Sequence, residues 1–254
     1  MTAVAGGTQV EWQDRGVVLG GRAYGETSVI VELLTAEHGR HLGLVQGGRS
    51  RRLRPVLQPG NAVAATWRAR IDHHMGAFLI EGLALRAARI MDSAAALHAV
   101  NHLCGLARLL PEREPQPVLH AMLDAMMEGV EEREALPLQM LQFELAFLAA
   151  LGFGLDLASC AATGASEDLH FVSPKTGRAV SLGAAGIYAD RLLTLPRFLR
   201  PGGGAAPVPP EDLAAAFRLT DHFLSRDVFG PRHIAPTPSR RAYLATLGAG
   251  PGAA

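Results

Sequence analysis

The sequence is short of the residues on which several common activities depend. It contains two cysteines, Cys104 and Cys160, and a single lysine, Lys175, among 254 residues. Two cysteines cannot build a framework of disulfides. Because Lys175 follows Pro174, the Gly-Lys-Ser/Thr sequence of an ATP-binding P-loop is missing as well. Any remodelling of a ligand by this chain is therefore expected to proceed without a P-loop ATPase of its own.

Long apolar runs and a targeting leader are also lacking. The longest strongly apolar uncharged run, residues 145–155, spans 11 residues, which is too short to cross a bilayer. Residues 1–10 have neither the basic nor the apolar region of a secretory signal, and we expect them to form a disordered leader. The sequence therefore predicts a cytoplasmic protein with no membrane partner.

No catalytic constellation stands out in the sequence. The motifs GxSxG and HExxH are absent, and no histidine is followed directly by glutamate. His98 and His102 have the i, i+4 spacing of a helical metal pair, but no nearby carboxylate completes a ligand set. We predict that the chain is not an enzyme and has no catalytic site.

Arginine, by contrast, is concentrated in one stretch. Residues 38–71 hold seven arginines and no Asp or Glu, although the whole chain is formally neutral. Segregated positive charge on a neutral protein is typical of a polyanion site. The alternative is a solvated loop whose arginines pair with acidic side chains elsewhere in the fold. The seven are Arg40, Arg49, Arg51, Arg52, Arg54, Arg68 and Arg70.

The order of sequence patterns predicts an α+β protein. Within residues 11–86, five short runs rich in Val, Ile, Leu and aromatics alternate with Gly, Pro and Asn, which favours a five-stranded barrel of the OB-fold type. From residue 87 to 254 the periodicity is helical, and Ser93 is a candidate N-cap. Helices are predicted over about 93–110, 117–134, 138–151, 211–229 and 239–247. Residues 154–186 are predicted to form an insert containing a hairpin, and 201–210 a flexible link.

An OB barrel would give the arginines a function. Guanidinium groups neutralise phosphates, and exposed aromatic side chains offer surfaces on which bases stack. Tyr24 is expected between the first two strands, in a usual OB binding loop. Residues 49–54 fall between the third and fourth strands, where Pro55 and Pro59 favour an extended basic arm flanking the groove. Trp67 is equally compatible with barrel core and with a stacking surface. The predicted nucleic-acid-binding residues are thus Tyr24 and the seven arginines.

Several stretches together resemble the RecO family of bacterial recombination mediators. They are EWQDRGVVLGGRAYGETSVIVELLTAEHGRHLGLVQGGRSRRLRPVLQPG, FELAFLAALGFGLDLASC, and SPKTGRAVSLGAAG followed by LPRFL, so that the resemblance covers about residues 11–199. It implies an N-terminal OB-fold, a helical domain and a zinc-finger-like insert. It also implies binding of single- and double-stranded DNA, annealing of complementary strands without ATP, and a place in homologous recombination and DNA repair by the RecFOR pathway. The implied partners are RecR, the C-terminal tail of SSB and, indirectly, RecA at the bacterial nucleoid.

The insert departs from the pattern of zinc-bearing family members, which is CxxCG, a hairpin and then CxxC. Cys160 and the glycine are kept, but Thr163 stands at the second ligand position. Beyond the hairpin, Ser181 and Ala184 align with the other two ligands. With one ligand of four, we predict that the protein holds no zinc and no other cofactor.

The distribution of charge suggests where protein partners bind. Residues 38–71 carry seven positive charges, whereas residues 111–134 hold seven acidic groups against two arginines. DNA is therefore expected on one side, and the acidic SSB tail in apolar grooves between helices, edged by Arg108 and Arg133. The alternative is a protein-interaction scaffold whose basic arm binds acidic partner tails rather than DNA.

Overall fold

The structure, a computed structural model, describes residues 10–71, 74–203 and 207–248. Apart from Val10, the predicted leader lies outside the described residues, as does the 204–206 part of the predicted link. The chain divides into two compact units, of which the first joins the residues up to 136 with those from 237 onward. The second unit is Pro137–Pro236. The boundary expected at residue 86 marks the change from strands to helices. The first compact unit, however, includes both the barrel and the helices up to residue 136.

The first unit begins with a closed five-stranded barrel. Its strands are β1 (Val10–Tyr24), β2 (Ser28–Thr35), β3 (Gly39–Val45), β4 (Ala62–Ala69) and β5 (Ala77–Ala84). The order around the barrel is β1-β2-β3-β5-β4, and β4 closes back onto β1. Neighbouring strands are antiparallel except β3 and β5, which meet in parallel at Leu44 and Ala77. The predicted α+β class with an OB-type barrel is confirmed.

Alternation along β4 places the barrel core. Val63, Ala65 and Trp67 are buried, while Arg68 between Trp67 and Ala69 is exposed. The indole nitrogen of Trp67 donates to the carbonyl oxygens of Leu42 and Met75, each at 3.2 Å. Because the ring is fully buried and its one polar atom is satisfied, Trp67 belongs to the barrel core and offers no stacking surface.

The segment between β3 and β4 is a series of tight turns, so the expected extended arm is wrong. The amide of Arg54 donates to Ser50 O, and that of Leu57 donates to Leu53 O, both at 3.0 Å. Leu57 anchors these turns because its side chain enters the barrel core. Pro55 lies in this compact segment without opening it. Proline prevents a long regular helix, but it is compatible with consecutive turns.

Asn61 holds the end of this segment against the start of the helices. Its buried amide nitrogen donates to Pro55 O at 2.8 Å and Val56 O at 3.0 Å. Its side-chain oxygen accepts from the amides of Arg86 at 2.7 Å and Ala87 at 3.0 Å. One side chain therefore fixes where the segment between β3 and β4 stops and where the helical region begins.

The described α-helices are α1 (Ala87–Met91), α2 (Ala94–Ala107), α3 (Pro117–Glu128), α4 (Leu136–Ala150), α5 (Leu182–Ala185), α6 (Pro210–Phe223) and α7 (Pro238–Gly248). Ser93 caps α2 as predicted, because its hydroxyl accepts from the amide of Ala96 at 3.3 Å. Helix α3 stops six residues before its expected end, where Gly129 takes the C-cap position. Within the described residues, no helix combines the length and the apolar character needed to span a bilayer.

Helix α7 returns to the first unit and packs on α2. Tyr243 of α7 is buried, and His102 Nδ1 of α2 lies 2.7 Å from Thr237 Oγ1 at the start of this segment. His102 is therefore part of the packing between these helices rather than one half of a metal pair.

The second unit contains α4 from residue 137 onward, α5, α6 and a small antiparallel sheet. Strands β6 (Leu169–Val172), β7 (Ala179–Ser181) and β8 (Leu193–Thr194) have the order β7-β6-β8. The predicted hairpin of the insert is thus confirmed as β6 and β7. Helix α6 continues into a π-helical turn at Leu224–Phe229. The buried carboxylate of Glu144 accepts a hydrogen bond from the hydroxyl of Thr220.

Candidate nucleic-acid interface

The basic loop, residues 46–61, lies beside the turn between β1 and β2. The amide of Arg49 donates to Thr27 O at 3.0 Å, and its Nη1 donates to Glu26 O at 2.9 Å. Tyr24, at the end of β1, is 52% exposed on this same turn. The hydrogen bonds of Arg49 therefore join two loops that are separate in the sequence. The cationic residues consequently lie next to the turn in which OB barrels usually bind their ligands.

Three arginines of the basic loop are available to a ligand. Arg51, Arg52 and Arg54 are exposed, and none makes a side-chain hydrogen bond or ion pair with the residues that the structure describes. A long cationic side chain without a protein partner keeps its full charge toward solvent. Together with the exposed aromatic ring of Tyr24, these groups can neutralise phosphates and stack on a base.

Arg40 has a different environment. It pairs with Glu32 on the neighbouring strand and with Glu112, and its Nε donates to Leu110 O at 2.7 Å. Only 13% of its side chain is exposed. The guanidinium is thus occupied by protein groups that hold the barrel to the segment after α2. The charged Glu32 within the apolar run VIVELL is the sequence signal that indicates such a buried partner.

Arg68 and Arg70 lie away from the basic loop. Arg68 pairs across the sheet with Glu11, with Nε 2.8 Å from Oε2, near the first residues of β1. The basic loop contacts the turn that follows the last residue of β1. Arg70 is exposed just beyond β4. The seven arginines are therefore divided among the two ends of β1 and a buried ion pair, rather than gathered into one patch.

The two residues expected to bind a protein partner are also separated. Arg108, which follows α2, pairs with Glu32 of β2 and so faces the barrel rather than a groove between helices. Arg133 is exposed in the segment between α3 and α4. The acidic groups near Arg133 are partly neutralised, because Arg86 pairs with Asp124 and Glu128. Two of the seven acidic groups of residues 111–134 thus hold α3 to Arg86, at the start of the helical region.

The insert brings Thr163 and Ser181, two of the positions that zinc ligands would occupy, to Cys160, but their atoms do not suit the metal. Cys160 is buried, and its sulfur accepts hydrogen bonds from Ser181 Oγ at 3.4 Å and Ser181 N at 3.3 Å. Burial raises the pKa of the Cys160 thiol. Hydrogen bonds from the side chains of Ser181 and Thr163 and from the Ser181 and Ala162 amides outweigh burial and lower this pKa to about 6. Two neutral hydroxyls and a methyl group (Ala184) cannot complete a tetrahedral zinc site.

Metal-binding groups do not converge elsewhere in the part of the chain that the structure describes. Across residues 10–71, 74–203 and 207–248, no three His, Cys, Asp or Glu side chains are placed to hold one ion. The second cysteine, Cys104, is buried on α2, and burial raises the pKa of its thiol to about 12. Such a thiol is protonated and unreactive at neutral pH.

The barrel, the helices and the exposed arginines beside the β1–β2 turn define an α+β protein of the OB-fold type with a cationic loop on its surface. Comparison with known families identifies the family to which the chain belongs. The family model described as Recombination protein O N terminal matches residues 9–84, and Recombination protein O C terminal matches residues 91–233. The chain belongs to the recombination protein O (RecO) family.

Curated relatives agree over almost the full length. "DNA repair protein RecO" of Methylorubrum populi is 51% identical over 245 residues, covering 95% of this chain and 99% of the relative. The protein of the same name from Methylorubrum extorquens is 52% identical over 245 residues, with the same coverage. That from Rhizobium etli is 52% identical over 236 residues, covering 92% of this chain and 91% of the relative. The resemblance inferred from sequence is confirmed, and the family is one of recombinational DNA repair.

Proposed function

We propose that this protein is a DNA-binding recombination mediator that holds single- and double-stranded DNA without sequence preference. The observation that carries the proposal is the group of exposed arginines, Arg51, Arg52 and Arg54, beside Tyr24. None of the three has a side-chain partner among the residues that the structure describes. Guanidinium groups on a loop contact phosphates, which are the same in every sequence. These residues reach the backbone without any need to read base edges.

Annealing of complementary strands without ATP follows from the same chemistry. Two strands repel each other through their phosphates, and a cationic surface that binds both lowers this repulsion. Base pairing then supplies the driving force, so no hydrolysable cofactor and no catalytic residue is required. In recombinational repair, such a protein would help to load RecA onto SSB-coated single strands together with RecR. We propose RecR and the acidic SSB tail as its protein partners.

The number of available arginines sets the expected salt dependence. The three available arginines of the basic loop, at about −0.7 per phosphate neutralised, imply a slope of log K on log salt of about −2 on single strands. All seven would imply about −5. Anisotropy titrations with labelled oligonucleotides at several salt concentrations distinguish the two values.

The decisive variant is Arg51→Glu with Arg52→Glu in the full chain. We expect affinity for single and double strands to fall by well over tenfold, because reversing two charges lowers the net charge beside the phosphates by four units. The matched control is Arg68→Glu with Arg70→Glu, which makes the same charge change at the other end of β1. Unchanged DNA affinity in the first variant would favour the scaffold alternative, in which the basic loop binds acidic partner tails.

A further inference from the structure

A cleft opens between the β1–β2 hairpin, the basic loop and helix α2. It has a volume of about 690 Å³ and is open to solvent. Its lining residues include Arg49, Arg54 and Arg108, and no Asp or Glu is among them. Gln58 and Asn101 add two amide groups. The cleft thus has the size of a small-ligand site, and its charged lining is entirely cationic.

Two glycines of β1 form part of the wall of this cleft. A Cβ atom on Gly20 would lie 3.6 Å from Arg108 Nη1, an ordinary van der Waals distance, so the guanidinium lies against the strand at this glycine. A Cβ on Gly21 would come within 2.9 Å of Val29 Cγ1. A bulge between Val18 and Gly20 interrupts the pairing of β1 with β2 at this point. Glycine and a bulge in a strand mark a position where another chain can approach the backbone closely.

Two of the three arginines of the cleft, Arg49 and Arg54, have no acidic partner within the described residues, whereas Arg108 is paired but keeps donors for a ligand. Arg108 bonds to Glu32 through Nε, so that its two terminal nitrogens remain for a ligand. Arg49 uses Nη1 on backbone carbonyl oxygens, which carry no net charge. Arg54 makes no side-chain bond within the described residues. An anionic ligand would find preformed donors on the barrel side and on the helix side of the cleft.

The cleft continues the basic loop, and this continuity indicates the kind of anion. Arg49 and Arg54 line the cleft, while Arg51 and Arg52, on the same loop, are exposed. A line of cations that runs from an open surface into a cleft matches a chain of phosphates better than the single terminus of a peptide. A volume of about 690 Å³ encloses one or two nucleotides and is far too small for a duplex.

We propose that this cleft holds a segment of single-stranded DNA, with phosphates on Arg54 and Arg108, so that helix α2 forms part of the DNA site. The inference rests on the proposed function and adds to it a structural basis for discriminating single strands from duplex. A duplex would contact the exposed arginines of the basic loop alone. A single strand would contact those arginines and enter the cleft.

Asn101 provides the sharpest test, because it is exposed on α2 and makes no side-chain hydrogen bond within the described residues. Asn101→Asp keeps the shape and adds a negative charge to the cleft, whereas Asn101→Arg adds a donor for phosphate. We expect the first to lower single-strand affinity by roughly tenfold and the second to raise it several-fold. Affinity for duplex should change by less than about twofold in both.

The matched controls are Gln13→Asp and Gln13→Arg, at an exposed position near the other end of β1. Ala23→Glu provides a second charge in the cleft from the strand side, should the helix not tolerate aspartate. Anisotropy with poly(dT) and with a duplex of equal length is the readout, and circular dichroism confirms folding. Two outcomes would overturn the proposed role of the cleft and leave the proposed function standing. In the first, the variants change affinity for single strands and duplex equally. In the second, the wild type binds DNA but neither the Asn101 nor the Ala23 variants change its affinity. A wild type that binds neither ligand would overturn both.

Discussion

The basic stretch, residues 38–71, and the insert around Cys160 are the two segments whose sequence indicates a binding chemistry, and the fold uses them in opposite ways. In the basic stretch every cationic group is present, but the groups are distributed between a buried ion pair and the two ends of β1. In the insert the cysteine and Ser181 lie in contact, but hydroxyls replace zinc ligands. The seven arginines do not form one site because the fold separates them. The residues of the insert do not form a zinc site because their atoms are not zinc ligands.

The largest expected effect comes from the arginine that does not face a ligand. Replacing Arg40 by Ala leaves Glu32 with Arg108 alone and deprives Leu110 O of its donor. We expect a loss of about 3 kcal/mol in the free energy of unfolding, measured by urea denaturation. Arg52→Ala is the control in the same stretch, and it should change stability by less than about 0.5 kcal/mol. Equal losses in the two variants would show that the division of the arginines is incorrect.

The insert should accept zinc once ligand atoms are supplied. We expect the triple variant Thr163→Cys, Ser181→Cys and Ala184→Cys to bind about one zinc per chain, measured by elemental analysis after dialysis. At free zinc 100 times the Kd, binding should add about 2.7 kcal/mol to the stability of the folded state.

The wild type is the control for that variant. It should hold far less than one zinc per chain, and a chelator should leave its Tm unchanged. Zinc at one per chain in the wild type would mean that ligands distant in the sequence join Cys160. Failure of the triple variant to bind zinc would mean that the positions do not converge as the resemblance implies.

Cys160 should make stability depend on pH. Because its folded pKa is about 6, below its usual value of 9.0, the folded state binds fewer protons than the unfolded state between these values. Stability is therefore expected to rise with pH over this window, and this contribution is lost as the pH falls through 6. Urea denaturation of wild type and Cys160→Ser from pH 5.5 to 9 measures the difference. Parallel curves would mean that the thiol stays protonated throughout.

The smallest effect is expected at the exposed end of β1. Arg68 and Glu11 form a pair whose side chains are 53% and 41% exposed. Arg68→Ala should lower the free energy of unfolding by about 0.5 kcal/mol or less, and the difference should vanish in 0.5 M salt. A loss as large as that of Arg40→Ala would show that the difference in exposure between Arg40 and Arg68 does not determine how much each contributes to stability.

Local patterns predicted those parts of the fold that depend on neighbouring residues. The alternation of small and large apolar residues around Trp67 gave a correct buried face for β4, and Ser93 was recognisable as a cap. The hairpin of the insert followed from its turn sequence between two β-rich runs. Each of these signals is contained within about ten residues of the sequence.

Long-range partners explain what local patterns missed. The tight turns of the basic loop depend on Asn61, whose side chain also binds the amide of Arg86, 25 residues away. Arg40 is occupied by a carbonyl 70 residues away. The cleft beside Asn101 exists because a helix from beyond the barrel covers β1. No periodicity in the sequence reports such pairings, since each side chain meets its partner only after the chain has folded.

The return of α7 to α2 has a consequence for synthesis on the ribosome. The barrel and α2 emerge early, but the helix that covers α2 follows the second unit, which occupies the 100 residues from 137 to 236. At about 5–20 residues per second, the first unit waits roughly 5–20 s for its last helix. During that interval the surface of α2 that later packs on α7 is exposed in the nascent chain.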